Sequence, residues 1–254
     1  LHSRLSIIAL DPRSNQPFTI GTHPIVFNGA IYNYLELRDA LHKRGIVLNT
    51  SSDTEVLLHY FRIYGEKCVG FLEGMWAFAV YDSENETLFL SRDRFAEKPL
   101  YYYEDESGFY FGSEIKFLKC LSGKNFSVNY RHLMRHMAYG YKALYKTDET
   151  YFEDVRELKY AENLLVTSRG GSAHQKYWKP ACEIDNKMSL PEAIEGTRET
   201  LLNSVKIRLR SDVPLAFCLS GGIDSSSLAA ITSVSLNKKI HTFSVIDSDP
   251  RYNE

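Results

Sequence analysis

The chain has 254 residues, of which 44% are hydrophobic, and a formal net charge of -2. Such a chain buries a substantial core, which excludes collagen-like and disordered classes, and its length fits one large domain or two modest ones. The near balance of 30 basic and 32 acidic residues argues against a nucleic-acid partner, because binding along a phosphate backbone requires concentrated positive charge. No apolar run approaches the roughly 20 residues that cross a bilayer, so we expect no membrane partner. The 4 cysteines lack C-x-x-C spacing, which argues against zinc and is typical of a reducing, cytoplasmic compartment.

The first part of the chain is predicted to alternate short strands and helices. A β-branched and aromatic run at residues 25–27 predicts a strand that ends at Asn28-Gly29. Two helices follow from their caps and glycine stops: one after the cap candidate Asn33, and one over residues 52–65, where Ser52 and Glu55 fit a capping box.

A strand covered on both faces is predicted at residues 75–81. Bulky side chains there alternate with small ones that are also apolar. Residues 87–91, 100–103 and 109–112 are predicted to be its antiparallel partners. Strands buried on both faces, with helices before them, indicate an α/β fold of stacked sheets between helical layers.

The composition and the apolar periodicity change in the later part of the chain. We expect a helix over residues 129–139 and an extended hairpin over residues 156–178. Residues 179–188 lack apolar periodicity and are the predicted linker, which divides the chain into domains at 1–178 and 189–254. The second domain begins with a helix capped by Ser189 and Glu192.

A β-α-β unit is predicted at residues 214–246, with the loop Ser220-Gly221-Gly222-Ile223-Asp224-Ser225 between its first strand and its helix. Because one such unit leaves both strands at an edge, we expect the chain to be truncated here. Backbone N–H groups and a helix N-terminus make this loop favourable for a phosphate. Asp224 suits a phosphate-bound Mg2+. The alternative is a glycine-serine turn in which Asp224 or Ser225 caps the helix.

The loop resembles the S-G-G-x-D-S signature of the ATP pyrophosphatase, or PP-loop, enzymes. The resemblance implies ATP and Mg2+ as cofactors and a reaction in which a carboxylate attacks the α-phosphate and pyrophosphate leaves. The ATP-binding residues implied are Leu219, Ser220, Gly221, Gly222, Asp224, Ser225 and Val245, with Asp224 holding Mg2+ through the pyrophosphate.

Five further runs resemble, in order, the class II glutamine amidotransferase domain of the asparagine synthetase B family. They are HSRLSI at 2–7, NGAIYN at 28–33, SDTE at 52–55, GMWAFA at 74–79 and RDRFAEKPLY at 92–101. The resemblance implies an N-terminal nucleophile hydrolase sandwich of four layers, α-β-β-α, over residues 1–178. The start of a parallel α/β adenine-nucleotide-binding domain would follow from residue 189.

The same resemblance implies the residues of a glutamine site. Asn28 and the Gly29 N–H would stabilise the oxyanion, Arg4 would hold the α-carboxylate and Asp53 would bind the α-ammonium group. The full set implied for glutamine is Arg4, Leu5, Ile7, Asn28, Gly29, Ala30 and Asp53. Each key residue also has a structural alternative: Asn28-Gly29 is a strong hairpin-turn signal, Arg4 suits a strand edge, and Asp53 suits a helix first turn.

The chain departs from the family pattern in three places. The family nucleophile is an N-terminal Cys, whereas no cysteine precedes Cys68; we expect a missing N-terminus rather than a vestigial domain, because Leu1 begins inside a strand-like motif. Ala30 stands where the family has a Glu that helps to bind the ammonium group, and Ala96 stands where glycine is usual. Losing one charged hydrogen bond costs about 1.5–3 kcal/mol.

These resemblances predict a ligase, a glutamine-dependent asparagine synthetase, whose partners are glutamine, ATP and a carboxylate acceptor. Aspartate is the simplest acceptor, and the alternative of another carboxylate stays open. A homodimer is the open alternative for the oligomeric state. The rivals are an enzyme resembling β-lactam synthetase with a dead glutaminase domain, a non-enzymatic glutamine-sensing domain, and a tRNA-thiolating enzyme, against which the charge balance argues. We expect the 254 residues alone to be inactive, since they lack the nucleophile.

Overall fold

The computed structural model describes residues 6–141, 147–246 and 249. Contacts group residue 6 and residues 11–180 into a first unit and residues 7–10 and 181–246 into a second. The break at residue 180 falls inside the segment that was predicted to be the linker.

The strands and helices of the first unit are β1 (Phe18–Ile20), β2 (His23–Ile31), α1 (Tyr34–Lys43), α2 (Asp53–Tyr64), β3 (Gly74–Asp82), β4 (Thr87–Arg92), β5 (Tyr101–Asp105), β6 (Gly108–Gly112), α3 (Ile115–Ser122), α4 (Tyr130–Tyr139), β7 (Arg156–Glu157), β8 (Glu162–Thr167) and β9 (Ser172–Lys176). Those of the second unit are α5 (Leu190–Arg208), β10 (Ala216–Cys218), α6 (Ile223–Ala230) and β11 (His241–Phe243). Within the described ranges, no helix has the length and apolar character needed to cross a membrane.

The larger sheet of the first unit is antiparallel, with the order β1-β2-β3-β4-β8-β9. Its strand β3 is buried on both faces, which confirms the prediction made from the alternation of bulky and small apolar residues. Trp76, Phe78 and Val80 belong to the cluster that α1 and α2 cover. Ala77 and Ala79 belong to a second cluster on the opposite face.

A smaller antiparallel sheet has the order β6-β5-β7. The prediction that β5 and β6 pair directly with β3 is therefore wrong. A strand has only two hydrogen-bonding edges, and those of β3 are taken by β2 and β4. The strands β5 and β6 pair with each other instead, and their aromatic residues Tyr102, Phe109 and Phe111 pack on the alanine face of β3.

Four layers therefore stack in the first unit. The helices α1 and α2 cover one face of the larger sheet, and the smaller sheet covers the other face. The helix α3 then covers the outer side of the smaller sheet, where Leu118 packs with Tyr103. This α-β-β-α sandwich confirms the predicted fold class.

Two helix starts differ from their sequence predictions. The side chain of Asn33 does not cap α1, since it donates to the Phe71 carbonyl and accepts from the Glu73 N–H, each at 2.9 Å. At α2, the Ser52 Oγ accepts from the Thr54 N–H at 3.0 Å. The Glu55 carboxylate does not reach back to complete a capping box, because it accepts from loop residues just before the helix.

The second unit confirms the predicted β-α-β element. Its strands β10 and β11 pair in parallel, with Ala216 opposite His241 and Cys218 opposite Phe243, and α6 lies between them in the chain. The preceding helix α5 has the full capping box of Ser189 and Glu192 that the sequence predicts.

Candidate active sites in the two units

The strand β2 continues straight through the Asn28-Gly29 pair. Asn28 lies opposite Ala77 and Gly29 opposite Trp76 in the ladder with β3, and pairing goes on to Ile31. The prediction of a strand end here is wrong, and so is the hairpin-turn alternative. The turn tendency of this pair does not end the strand, because β3 pairs with β2 from Ile25 to Ile31.

Gly29 lies where no larger residue fits. A Cβ atom at this position would lie 2.8 Å from Cε2 of Phe27, 2.9 Å from Cα of Trp76 and closer still to the carbonyl oxygen of Met75. Two of these neighbours are backbone atoms of β3, so a change of side-chain rotamer cannot move them away. The glycine therefore reflects close approach between two strands.

The half-buried side chain of Asn28 points to the same face of β2 as Val26, which packs in the cluster between the two sheets. Its Nδ2 donates to Oγ of Ser113 at 3.3 Å. Ser113 directly follows β6 in the smaller sheet. The amide predicted for the oxyanion site is thus held from the second sheet.

Asp53 is the buried first residue of α2. Its Oδ2 accepts from the backbone N–H of Ile31 at 3.0 Å, which ties the helix start to the end of β2. Ala30, the residue before Ile31, is fully buried. The structure therefore places Asp53 at the end of β2, the strand that contains Asn28, Gly29 and Ala30. The helix N-terminus stabilises the Asp53 carboxylate in either of its proposed roles.

Three other predicted glutamine-site residues are placed differently. Arg4 and Leu5 lie outside the described residues. Ile7 belongs to the second unit, where its carbonyl oxygen accepts from the N–H of Asp212 at 2.9 Å.

Arg92 and Asp93 are neighbours in the sequence but have different partners. Arg92 forms an ion pair with Glu157 at 2.9 Å. The buried Asp93 accepts from the backbone N–H groups of four residues, namely Trp76, Phe95, Glu97 and Lys98, at 3.0–3.2 Å. This carboxylate fixes the turn after β4, in which Ala96 has a φ of 56°.

Cys68 does not suit the role of a nucleophile. It is fully buried in the core beneath α2, and burial raises the pKa of its thiol to about 12. Nucleophilic cysteines react as thiolates in accessible, electropositive surroundings. The exposed cysteines among the described residues are Cys120, Cys182 and Cys218, and none of them is near Asn28 in the sequence.

The glycine-serine loop of the second unit precedes α6, whose N-cap is Gly222. The alternative in which Asp224 or Ser225 caps this helix is therefore wrong. The Oγ atoms of Ser220 and Ser225 lie 3.2 Å apart, and Ser225 Oγ also accepts from the Ser220 N–H at 3.3 Å. Gly221 has a φ of 86°, a conformation that favours glycine.

The loop lies at the carboxyl ends of two parallel strands. The Leu219 N–H donates to the carbonyl of Phe243 at 2.8 Å, and the hydroxyl of Ser244 donates to the Leu219 carbonyl at 2.7 Å. Val245 follows and is fully exposed. In open α/β sheets this edge is where ligands bind.

Asp224 is the acidic residue in the first turn of α6, and it is exposed. Within the described ranges no group of three or more His, Cys, Asp or Glu residues could hold a metal ion. One carboxylate is nevertheless enough for Mg2+ when substrate phosphates and water supply its other ligands. The residues present therefore fit a phosphate-bound Mg2+, which would neutralise charge on the pyrophosphate.

The first unit is an α-β-β-α sandwich of two antiparallel sheets, and a parallel β-α-β element follows in the second unit. Residues 1–178 match the family model described as glutamine amidotransferase domain. Residues 196–254 match the model described as asparagine synthase. The chain belongs to the glutamine amidotransferase family, and a segment that matches the asparagine synthase model follows in the same chain.

The relatives found by sequence include two proteins of Bacillus subtilis (strain 168). Asparagine synthetase [glutamine-hydrolyzing] 3 is 33% identical over 96% of this chain and 40% of its own length. Asparagine synthetase [glutamine-hydrolyzing] 1 is 33% identical over 95% of this chain and 38% of its own length. The chain therefore spans less than half of either relative. A glutamine phosphoribosylpyrophosphate amidotransferase from B. subtilis has a TM-score of 0.44 and 16% identity, covering 95% of this chain and 50% of that one.

Proposed function

We propose that the gene product containing this chain is a glutamine-dependent asparagine synthetase. It would hydrolyse glutamine to glutamate and ammonia, and activate aspartate with ATP as an acyl adenylate, which releases pyrophosphate. The ammonia would then attack the acyl adenylate and displace AMP, which forms asparagine. The observation that carries the proposal is the joining of the two family matches in one chain. Two relatives that match 95–96% of this chain are named glutamine-hydrolysing asparagine synthetases.

The glutaminase half of the proposal rests on the cluster at the end of β2. Asn28 would donate from Nδ2, and Gly29 from its backbone N–H, to the oxyanion that forms when the glutamine amide is attacked. Fixed donors of this kind stabilise the developing charge because they need no reorganisation during the reaction. Asp53, anchored on the Ile31 N–H, would bind the α-ammonium group of glutamine. Cys68 has no part in the chemistry, since its thiol is buried and protonated.

The synthetase half rests on the Ser220–Ser225 loop. Its exposed glycines and the N-terminus of α6 would receive the departing pyrophosphate, and the hydroxyls of Ser220 and Ser225 would donate to it. Asp224 would hold Mg2+ bound to that pyrophosphate, so that the metal neutralises the leaving group. ATP and Mg2+ thus serve one half of the protein, while glutamine serves the other.

The experiment that tests this division uses Asp224→Asn in the full-length gene product. ATP–pyrophosphate exchange with aspartate should fall by at least about a hundredfold, because the metal contact is lost, while glutamine hydrolysis stays within about twofold. Asp185→Asn is the matched control, since Asp185 is an exposed acid of the same unit outside the loop; it should change neither activity. Equal loss of both activities in Asp224→Asn would contradict the proposal and indicate a structural role.

A second function has one observation in its favour. Ala30 stands, fully buried, where the family motif has a glutamate, and this would weaken glutamine binding. An enzyme resembling β-lactam synthetase, which keeps adenylation and has lost glutaminase activity, fits that change. ATP-dependent AMP formation in a protein that never hydrolyses glutamine would support this alternative.

A further inference from the structure

The side chain of Asn28 has one hydrogen-bond partner among the described residues. Its Nδ2 donates to Oγ of Ser113 at 3.3 Å, and the two residues are 85 positions apart in the sequence. Both are half-buried, so solvent screens the bond only partly. This contact links the larger sheet, which contains Asn28, to the smaller sheet, whose strand β6 ends just before Ser113.

Ser113 is held rigidly on both sides in the chain. Before it, Gly112 closes β6 and pairs with Tyr101 of β5. After it, α3 packs through Leu118 on the smaller sheet. The backbone of Ser113 is therefore placed by a strand end before it and a helix start after it.

The orientation of the Asn28 amide decides what it can do for an oxyanion. The terminal torsion of asparagine is broad and roughly two-fold, so the side chain alone does not fix which end faces the substrate. An amide nitrogen carries two N–H groups. When Ser113 accepts from one, as it does in this structure, the other stays available to a developing negative charge, and the side chain is held in place by the first.

We propose that Ser113 is a positioning residue for glutamine hydrolysis, which anchors the Asn28 amide across the gap between the two sheets. This inference rests on the proposed function, since it takes Asn28 as an oxyanion donor. Ser113 itself touches neither the substrate nor the reacting atoms in this assignment. Its effect is on the transition state and hardly at all on substrate binding.

The test compares three variants of the full-length gene product. Ser113→Ala should lower kcat for glutamine hydrolysis about 10- to 100-fold, which is somewhat less than the loss of a whole oxyanion donor. The KM for glutamine should stay within about twofold, and ammonia-dependent amidation should be unchanged, because neither depends on the oxyanion. Ser113→Thr keeps the hydroxyl and should recover most of kcat. Ser107→Ala, in the exposed turn before β6, is the control and should behave as the unsubstituted protein.

Unchanged kcat in Ser113→Ala would overturn the inference, and so would an equal loss in the alanine and threonine variants. A purely structural role would lower ammonia-dependent amidation and thermal stability as well, and that result would also overturn it.

Asn28→Ala separates this inference from the proposed function. If Asn28→Ala loses hydrolysis and Ser113→Ala does not, the inference alone fails. If Asn28→Ala keeps full activity, or the unsubstituted protein hydrolyses no glutamine, the proposed function fails as well. In the double variant Asn28→Ala/Ser113→Ala, kcat should be no lower than in Asn28→Ala, since two residues that act as one unit are not additive.

Discussion

Replacing Gly29 by alanine tests the close approach of β2 to β3. The added Cβ would lie 2.8 Å from Phe27 Cε2, 2.9 Å from Trp76 Cα, and nearer still to the Met75 carbonyl oxygen. The Phe27 ring can shift, but the two backbone atoms can move only if the strands separate. Overpacking of a well-packed site costs about 1–3 kcal/mol, and we expect the upper end here. For a chain of this size, about 3 kcal/mol lowers Tm by about 6–12 °C.

Thermal and urea unfolding followed by tryptophan fluorescence measure this change. The chain's 2 tryptophans, Trp76 and Trp178, both belong to the first unit, so the signal reports on the unit that contains Gly29. Gly70→Ala is the matched control, because a Cβ at Gly70 meets nothing within 4 Å. The reasoning is refuted if Gly29→Ala unfolds at the same temperature and urea concentration as Gly70→Ala.

The direction of the change is predicted for three further substitutions, two that affect stability and one that affects the KM for glutamine. Ala96 has a φ of 56°, so Ala96→Gly should raise the free energy of unfolding by about 0.5–1 kcal/mol. The control Ala173→Gly, in β9, should lower it, and a lower urea midpoint in both variants would contradict this account. Burial lowers the pKa of His59, because the folded state favours the neutral imidazole. As pH falls through the unfolded-state pKa of about 6.5, the unfolded state binds a proton before the folded state does, and the free energy of unfolding decreases. Between about pH 7.5 and pH 5, urea titrations of His59→Gln should therefore show a smaller decrease in the free energy of unfolding than those of the unsubstituted protein. Equal decreases in the two proteins would contradict this prediction. Ala30→Glu should lower the KM for glutamine about tenfold or more, as one charged hydrogen bond would, with ammonia-dependent rates unchanged. An unaltered KM would contradict the assignment of Arg4, Asn28 and Asp53 to the glutamine site.

Periodicity predicted the parts of the fold that depend on one segment at a time. The alternation around Trp76 and Phe78 predicted a strand buried on both faces, and both clusters that cover it are present. The capping box at Ser189 and the β-α-β unit are likewise local patterns, and both are confirmed. In each case the residues that give the signal are the residues that make the contact.

Predictions failed where a distant segment competes with a local signal. Asn28-Gly29 is a turn signal in isolation, yet β3 pairs across it. Glu55 fits a capping box, yet its carboxylate accepts from Asn49 and Thr50 instead. Local pattern rules weigh only neighbours in the sequence, so they cannot register these alternatives.

The candidate sites were predictable to a similar extent. The glycine-serine loop and Asp53 are visible because they are short motifs at helix starts. Ser113 was missed because its partner, Asn28, is 85 residues away and because a lone serine between a strand and a helix gives no signal by itself. The pairing of Arg92 with Glu157 was missed for the same reason.

The measurement that tests the central claim most directly follows the amide nitrogen. The full-length gene product would be incubated with glutamine labelled with 15N in its side-chain amide, together with aspartate and Mg-ATP. The account predicts labelled asparagine, with AMP and pyrophosphate formed in equal amounts to it. Hydrolysis of glutamine with no labelled amide product, or amide formation with ADP in place of AMP, would contradict it.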